Sequence, residues 1–261
     1  MPVLKTESLS LGFGGHIIID TMDLVVEKGE IVSILGPNGS GKSTLLKGMA
    51  RNLKPMGGAV YLNGRDIRTL SAKAIARILA VLPQKHETAG DISVRELVEY
   101  GRFPHQKWWQ GTKNEDDAIV SQVMDQTGVA SFADRAVSTL SGGELQRAWI
   151  AMALAQKPRI LLLDEPTTYL DICHQLEIME LVRQLNQGQG LTIVMVLHDI
   201  NHAAKYSSRI LVIDQGGLYA AGSPEKVITR EMLAAVFGVE AEILIGGDGL
   251  PVIITRGLAR R

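Results

Sequence analysis

The sequence lacks the marks of secreted, membrane-spanning and nucleic-acid-coating proteins. Among its 261 residues there is one cysteine, Cys173. That excludes an internal disulfide framework and fits a reducing compartment. By itself Cys173 reads as a small buried apolar residue, not a catalytic thiol. Apolar runs such as Ile160 to Leu163 and Ile193 to Leu197 are strand-sized, far short of the roughly 20 residues that span a bilayer. The opening MPVLKTESLSL has no basic-then-apolar signal pattern. The expectation is a cytosolic chain whose membrane connections run through a partner. Neither sign of charge prevails: 27 Lys and Arg face 28 Asp and Glu, a formal net charge of −1. This argues against bulk electrostatic binding to nucleic acid or to an anionic bilayer. No internal repeat or low-complexity tract is visible.

What is present is an ordinary globular balance, 46% hydrophobic and 21% charged, in a length that allows one or two domains. Three segments differ in texture. Up to about residue 85, short apolar runs alternate with glycine turns, and VYLNGRDI carries Asn63-Gly64, a two-residue hairpin signal. IVSIL (31–35) reads as a buried strand that feeds a helix. Residues 87–140 look helical: Ser93 and Glu96 have capping-box spacing, and EDDAIVSQVMDQTG starts acidic and ends at Gly128. Between these helices FPHQKWWQGTK reads as a loop. From about residue 141 helices alternate with the apolar runs RILLLD, LTIVMVL and RILVID. That alternation predicts an α/β fold with a largely parallel sheet, and a helical insertion in the middle. The stretch from Leu218 on reads as a small strand-and-helix extension.

Chemistry concentrates where strands end. GPNGSGKST, from Gly36 through Pro37, Asn38, Gly39, Ser40, Gly41, Lys42 and Ser43 to Thr44, matches G-x-x-x-x-G-K-[ST] between a strand and a helix. Its glycines allow backbone N–H groups to curl around phosphate oxygens. Lys42 is placed to reach the β- and γ-phosphates of a nucleoside triphosphate, and Ser43 to ligate Mg²⁺. The competing reading is a glycine-rich turn with no ligand. ILLLDEP delivers Asp164 to a strand end, suited to hold Mg²⁺, with Glu165 next to it as general base for a water aligned on the γ-phosphate. LTIVMVLHD repeats the design with His198, placed to position that water. Gln84, after ILAVLP, is an uncharged strand-end residue suited to Mg²⁺ and water, and it opens the helical insertion. Taken alone, each of these side chains fits a solvated turn.

STLSGGELQR (138–147) is a second glycine site. Ser141 and Glu144 have capping-box spacing, and Leu145, Ala148, Trp149, Met152 and Ala153 form an apolar face. The plain reading is a capped helix behind flexible glycines. Yet Gly142 and Gly143 cost the first helical turn roughly 1 kcal/mol each against alanine, and close approach to a ligand supplies a reason for them. The chain's own phosphate loop already encloses its nucleotide from behind. The second site therefore suits the exposed side of a nucleotide bound to another copy turned head to tail.

In order and spacing GPNGSGKST, Gln84, LSGGELQR, ILLLDEP, TYLD and His198 resemble an ATP-binding-cassette (ABC) ATPase over nearly the whole chain, and LSGGELQR is similar to that family's signature. The resemblance implies a P-loop NTPase (RecA-like) core with a mostly parallel sheet, an N-terminal antiparallel β subdomain and an inserted α-helical subdomain. Residues 1–261 would form one ABC ATPase domain, with 1–86 and 141–261 as the nucleotide-binding core and 87–140 as the helical subdomain. It implies ATP and Mg²⁺ as ligands, and a homodimer whose Ser141, Gly142, Gly143 and Asp171 reach the partner's nucleotide. Phe13 resembles the aromatic residue that stacks on adenine, although a Phe in a strand also fits a core. YGRFPH, DEPTTYLDICHQ and VLHDINHAAKYSSRILVID resemble the ATPases of ferric siderophore importers, with vitamin B12 and haem systems as relatives. That implies a polytopic permease and a substrate-binding protein as partners, and a peripheral location on the cytoplasmic side of the cell membrane. No nucleic acid and no direct contact with cargo are expected. Arg102, Phe103, Trp108 and Trp109 are candidate permease-docking residues, against ordinary packing of a helical subdomain. His86 and His105 lack the spacing of a metal site. The alternative is a soluble ABC ATPase with non-membrane partners, as in iron–sulfur cluster assembly.

Overall fold

The computed structural model describes residues 2–84, 91–106 and 113–259. The chain divides into two compact units, one holding residues up to Thr69 and from Thr192 on, the other Leu70–Leu191.

In the first unit β1 (Leu4–Phe13) and β2 (His16–Val26) pair antiparallel. They bury Leu4, Leu9, Leu11, Ile19, Met22 and Leu24. The next strand, β3 (Ile31–Leu35), is buried at every position, as an unbroken apolar run requires, and leads through the glycine loop into α1 (Lys42–Met49). Then β4 (Gly57–Leu62) pairs with β1 and turns into β5 (Arg65–Asp66). The turn residues Asn63 and Gly64 have φ of 50° and 75°, the conformation that an Asn-Gly hairpin favours. The sheet runs β2-β1-β4-β5.

The second unit holds α2 (Ala72–Ala76), β6 (Leu79–Leu82), α3 (Val94–Tyr100), α4 (Lys113–Gln126), α5 (Gly142–Ala155), β7 (Ile160–Asp164) and α6 (Ile172–Gln189). The expected capping box of α3 is formed, with Ser93 and Glu96 exchanging backbone and side-chain bonds. Strands β6 and β7 run parallel, Leu82 beside Leu163. Between 91 and 140, helices and turns dominate the described residues, with one isolated bridge from Ser93 to Ala136.

Back in the first unit come β8 (Thr192–Val196), α7 (Ile200–Tyr206), β9 (Arg209–Asp214), β10 (Gly217–Gly222), α8 (Pro224–Val227), α9 (Arg230–Phe237), β11 (Val239–Ile245) and β12 (Pro251–Leu258). Parallel strands β8 and β9 flank β3, and β10 lies antiparallel on β9. The final hairpin is tied to α7 through Asn201, which donates to the Ile253 carbonyl at 3.2 Å and accepts from its N–H at 2.8 Å. The architecture is the expected one: a P-loop NTPase α/β core, an antiparallel N-terminal sheet and helices inserted in the middle of the chain.

One expectation about the insertion is corrected. Arg102 is buried and is not available for docking. Its Nε donates to Asp116 at 2.8 Å and its Nη1 to the Ala155 carbonyl at 2.5 Å, so it rivets the turn after α3 to α4 and α5. A long cation fills this position because the ends of two helices present a carboxylate and a carbonyl to it. Phe103 is 57% exposed and stacks on Tyr100 with ring centroids 5.1 Å apart. His105 Nε2 pairs with the Gln156 carbonyl at 2.7 Å, a structural use. His86, Trp108 and Trp109 lie outside the described residues.

Removing one partner of a buried ion pair strands the other. Arg102→Met is expected to cost about 3 kcal/mol, seen as a fall of roughly 6–10 °C in Tm, with ATP binding retained below the transition. A melting temperature within about 1 °C of the parent would remove the rivet.

Candidate nucleotide site

Two sets of side chains, one on each unit, carry the chemistry. In the first unit the loop from Gly36 to Gly41 leaves the end of β3. Gly36 has φ 152°, and a Cβ there would stand 2.1 Å from the Ile213 carbonyl oxygen. Gly41, at φ 102°, is the N-cap of α1 and offers no side chain to its first turn. That turn carries no acidic residue, so its N–H groups form an end suited to an anion. Lys42 is buried, and its Nζ donates to the carbonyls of Gly36 at 2.8 Å and Pro37 at 2.9 Å. Among the described residues the buried Ser40 Oγ has no hydrogen-bond partner, a donor left over inside the loop. Asn38 and Gly39 are exposed at its tip, while Ser43 and Thr44 are half-buried on α1.

His198 leaves the same strand edge. Strands β3 and β8 are parallel neighbours with Ile34 beside Val196, and Leu197 N–H donates to the Ile34 carbonyl at 3.2 Å. The loop and His198 therefore emerge at one end of one strand pair, and His198 is exposed there. Asp199 caps α7 by accepting from the His202 N–H at 2.9 Å. Phe13 is 52% exposed at the end of β1, which sets aside the core reading of that residue.

In the second unit Asp164 ends β7 and is buried. Glu165 then takes φ 54°, a left-handed conformation uncommon for a residue with a side chain. Its Oε2 accepts from Gln84 Nε2 at 2.5 Å and from Thr168 Oγ1 at 3.0 Å. The Thr168 N–H also donates to the Glu165 carbonyl at 3.3 Å. Two residues read separately from the sequence, Gln84 and Glu165, thus meet. Thr168 went unnoticed there; the available signal was its place three residues after a carboxylate, the spacing of a tight turn.

The capping box at Ser141 is formed: its Oγ accepts from the Glu144 N–H at 3.4 Å, and its own N–H donates to Glu144 Oε2 at 2.8 Å. That backbone bond, with the Ser141 side chain next, holds the Glu144 carboxyl below the usual range. Ser141 and Gly142 are exposed, but Gly143 is buried. A Cβ on Gly143 would lie 2.1 Å from His174 Cδ2. Helix capping alone gives the second glycine no structural reason; the fold supplies one inside the chain, the imidazole of His174. Asp171 caps α6. Near it Tyr169 is 90% and Ile172 76% exposed, a solvent-facing apolar pair on either side of an acidic cap.

The donors suit a triphosphate and a hard cation. Uncapped backbone N–H groups, a lysine and an unpartnered hydroxyl match phosphate oxygens. A serine hydroxyl, an amide oxygen and a carboxylate are the oxygen ligands that Mg²⁺ prefers. Among the described residues no cluster of three or more His, Cys, Asp or Glu is arranged to hold a metal by itself.

A phosphate loop at the end of a buried parallel strand defines the class, a P-loop nucleotide-binding protein. Within that class the chain belongs to the ABC transporter family, whose model matches residues 19–168. It is 47% identical to the iron(3+)-hydroxamate import ATP-binding protein FhuC of Bacillus subtilis (strain 168), across 100% of this chain and 97% of that one. Among solved structures it is similar to a chain of an ABC transporter, described as metal-chelate type, in an inward-facing conformation. The TM-score is 0.84 and the identity 25%, over 98% of this chain and 97% of the other. It is similar also to the ATP-binding cassette MJ0796, in a dimeric post-hydrolysis state bound to ADP and Pi. There the TM-score is 0.73 and the identity 29%, over 84% and 98% of the two chains. The chain is an ATPase of the transporter type.

Proposed function

We propose that this chain hydrolyses ATP to energise import of an iron complex of the ferric siderophore class through a membrane permease, acting as a dimer that encloses two ATP molecules. The observation that carries the reading is the pairing, in one chain, of a phosphate loop with the capped helix that begins at Ser141. The full-length likeness to an iron(3+)-hydroxamate import ATP-binding protein favours an importer over a soluble complex of the iron–sulfur assembly kind. Residues 1–261 act as one ABC ATPase domain, with 87–140 as its helical subdomain.

The roles follow from residue chemistry. Backbone N–H groups from Gly36 to Thr44 surround the phosphates, and Lys42 exchanges the loop carbonyls for the β- and γ-phosphates. Ser43, Gln84 and Asp164 would hold Mg²⁺, which supplies charge neutralisation on the phosphate oxygens. Glu165 takes the proton of the attacking water and His198 positions that water; its oxygen adds to the γ-phosphorus as the bond to ADP breaks. Phe13 stacks on adenine. Ser141, Gly142, Gly143 and Asp171 of the second copy close the open side of the γ-phosphate. Support for that closure comes from the exposed Ser141 and Gly142 and from Tyr169 and Ile172 beside Asp171, an apolar area of the sort that a partner covers. The Tyr100–Phe103 stack is the remaining described candidate for permease docking. Among the described residues no helix is long and apolar enough to cross a membrane, which accords with peripheral attachment to the cytoplasmic face through the permease. A substrate-binding protein completes the system, and cargo does not touch this subunit.

Glu165→Gln is expected to lower ATP turnover about 100-fold or more while ATP still binds. Turnover near the parent rate would remove Glu165 as the base. Thr168→Ala removes the Thr168 hydroxyl bond to the carboxylate; kcat is expected to fall about tenfold with ATP affinity little changed, and Thr168→Ser to recover most of it. Equal rates for all three proteins would show that this bond does not orient the base. Ser141→Arg and Lys42→Ala chains should each be inactive alone and active when mixed, since one composite site survives. A verified mixed dimer without activity would overturn sharing across chains. The importer assignment is checked by co-isolation with a polytopic membrane protein, and a cytosolic complex that lacks one would sink it.

A further inference from the structure

We propose that His174 is a positioning residue that joins the two motifs assigned to the partner's nucleotide, the Ser141–Gly143 helix start and Asp171, into one block. It rests on the reading of those residues as contacts made across the dimer.

The geometry is local to the second unit. Asp171 Oδ1 accepts two bonds from the same residue, the His174 N–H at 2.9 Å and His174 Nδ1 at 2.8 Å. Those bonds, backbone first, hold the Asp171 carboxyl below the usual carboxylate range, so it is ionised at neutral pH. An ionised carboxylate only accepts, which makes Nδ1 the protonated ring nitrogen. The ring is thereby fixed in orientation, and its other side lies on the first turn of α5. A Cβ on Gly143 would come within 2.1 Å of Cδ2, 2.6 Å of Cγ and 2.9 Å of Nε2. The φ of Gly143 is not in the left-handed region. Backbone conformation therefore does not demand glycine there; the imidazole does. One turn further along both helices, Arg147 pairs with Glu177, a second tie between α5 and α6. Ser141 and Asp171 are 30 residues apart and both exposed, so without a strut each would move on its own. With the imidazole between them, the γ-phosphate of the partner's ATP meets a single preformed surface. Such preorganisation is worth most in the hydrolytic step and little in the binding of ATP to this chain's own loop.

The test uses mixed dimers of full-length chains carrying two affinity tags. One chain bears Ser141→Arg and keeps its phosphate loop; the other bears Lys42→Ala and keeps its Ser141 helix and Asp171. His174→Leu keeps bulk over Gly143 and removes the Nδ1 donor, and His174→Asn restores a donor at that place. On the Lys42→Ala chain, His174→Leu is expected to lower ATP hydrolysis about tenfold, and His174→Asn to return most of it. The loss should be at least about fivefold larger there than with His174→Leu on the Ser141→Arg chain, since the effect must follow the chain that supplies Asp171. Equal losses in the two placements, or none in either, overturn the strut. If the mixed dimer with native His174 is itself inactive, it is the sharing of sites that fails. A companion pair guards against misfolding: Gly143→Ala should be strongly impaired, and Gly143→Ala with His174→Ala should be more active than Gly143→Ala alone. A double variant no better than the single would show that the ring is not what requires glycine.

Discussion

Strands buried on both faces confine polar chemistry to their ends, and the rest of this molecule depends on that constraint. β3, β7 and β8 have every residue buried, with Asp164 at the last position of β7; a charge placed deeper within them would be desolvated at a cost of several kcal/mol. The first positions where lysine, carboxylate and imidazole can meet water and ligand are the turns that follow. Because the strands of each pair run parallel, those turns emerge together: the phosphate loop with His198, and Gln84 with Glu165.

The turns carry strain of their own. Glu165 and Tyr169 both sit in the left-handed region, at φ 54° and 65°, within the run that starts with the buried Asp164 and ends with Asp171, the cap of α6. Each such residue costs on the order of 1–3 kcal/mol and persists only where its surroundings hold it. Here the holding groups are visible: Gln84 and Thr168 on the Glu165 carboxylate, and the Asp171 cap beyond. The left-handed turn at Glu165 takes its carboxylate out of the line of a strand that is buried at every position.

Much of this was legible because its signals are short. A phosphate loop is nine residues with strand before and helix after. A capping box is a spacing of three, and an Asn-Gly hairpin is two residues with positive φ. What could not be read depends on residues far apart. The Gln84–Glu165 bond spans 81 positions, and the fit of Gly143 against His174 spans 31, with nothing in either stretch to point to the other. Arg102 was misplaced for the same reason. An arginine beside aromatics resembles a docking surface until the carbonyl 53 residues away and the carboxylate of the next helix are known to enclose it. The left-handed turn at Glu165 had no local sign either, since no glycine or asparagine marks it.

The two glycines after Ser141 show how a single motif can answer to two constraints. Gly142 is exposed, and the nearest atom to an added Cβ is a Leu170 methyl at 3.3 Å, a tight contact with the movable end of a side chain, so an alanine there asks only a small shift inside its own chain. The case for glycine at that position rests on something outside the chain, which in the proposed dimer is the nucleotide of a second copy. Gly143 is the reverse: the demand comes from inside, from an imidazole held by the acidic cap of α6. In the proposed dimer a surface that closes on a partner's phosphate needs both, an open backbone to approach the ligand and a rigid backing to hold that backbone still. The pair G-G at the start of α5 meets the two needs with adjacent residues. This is why its cost in helix stability is tolerated, and why neither glycine is explained by the helix alone.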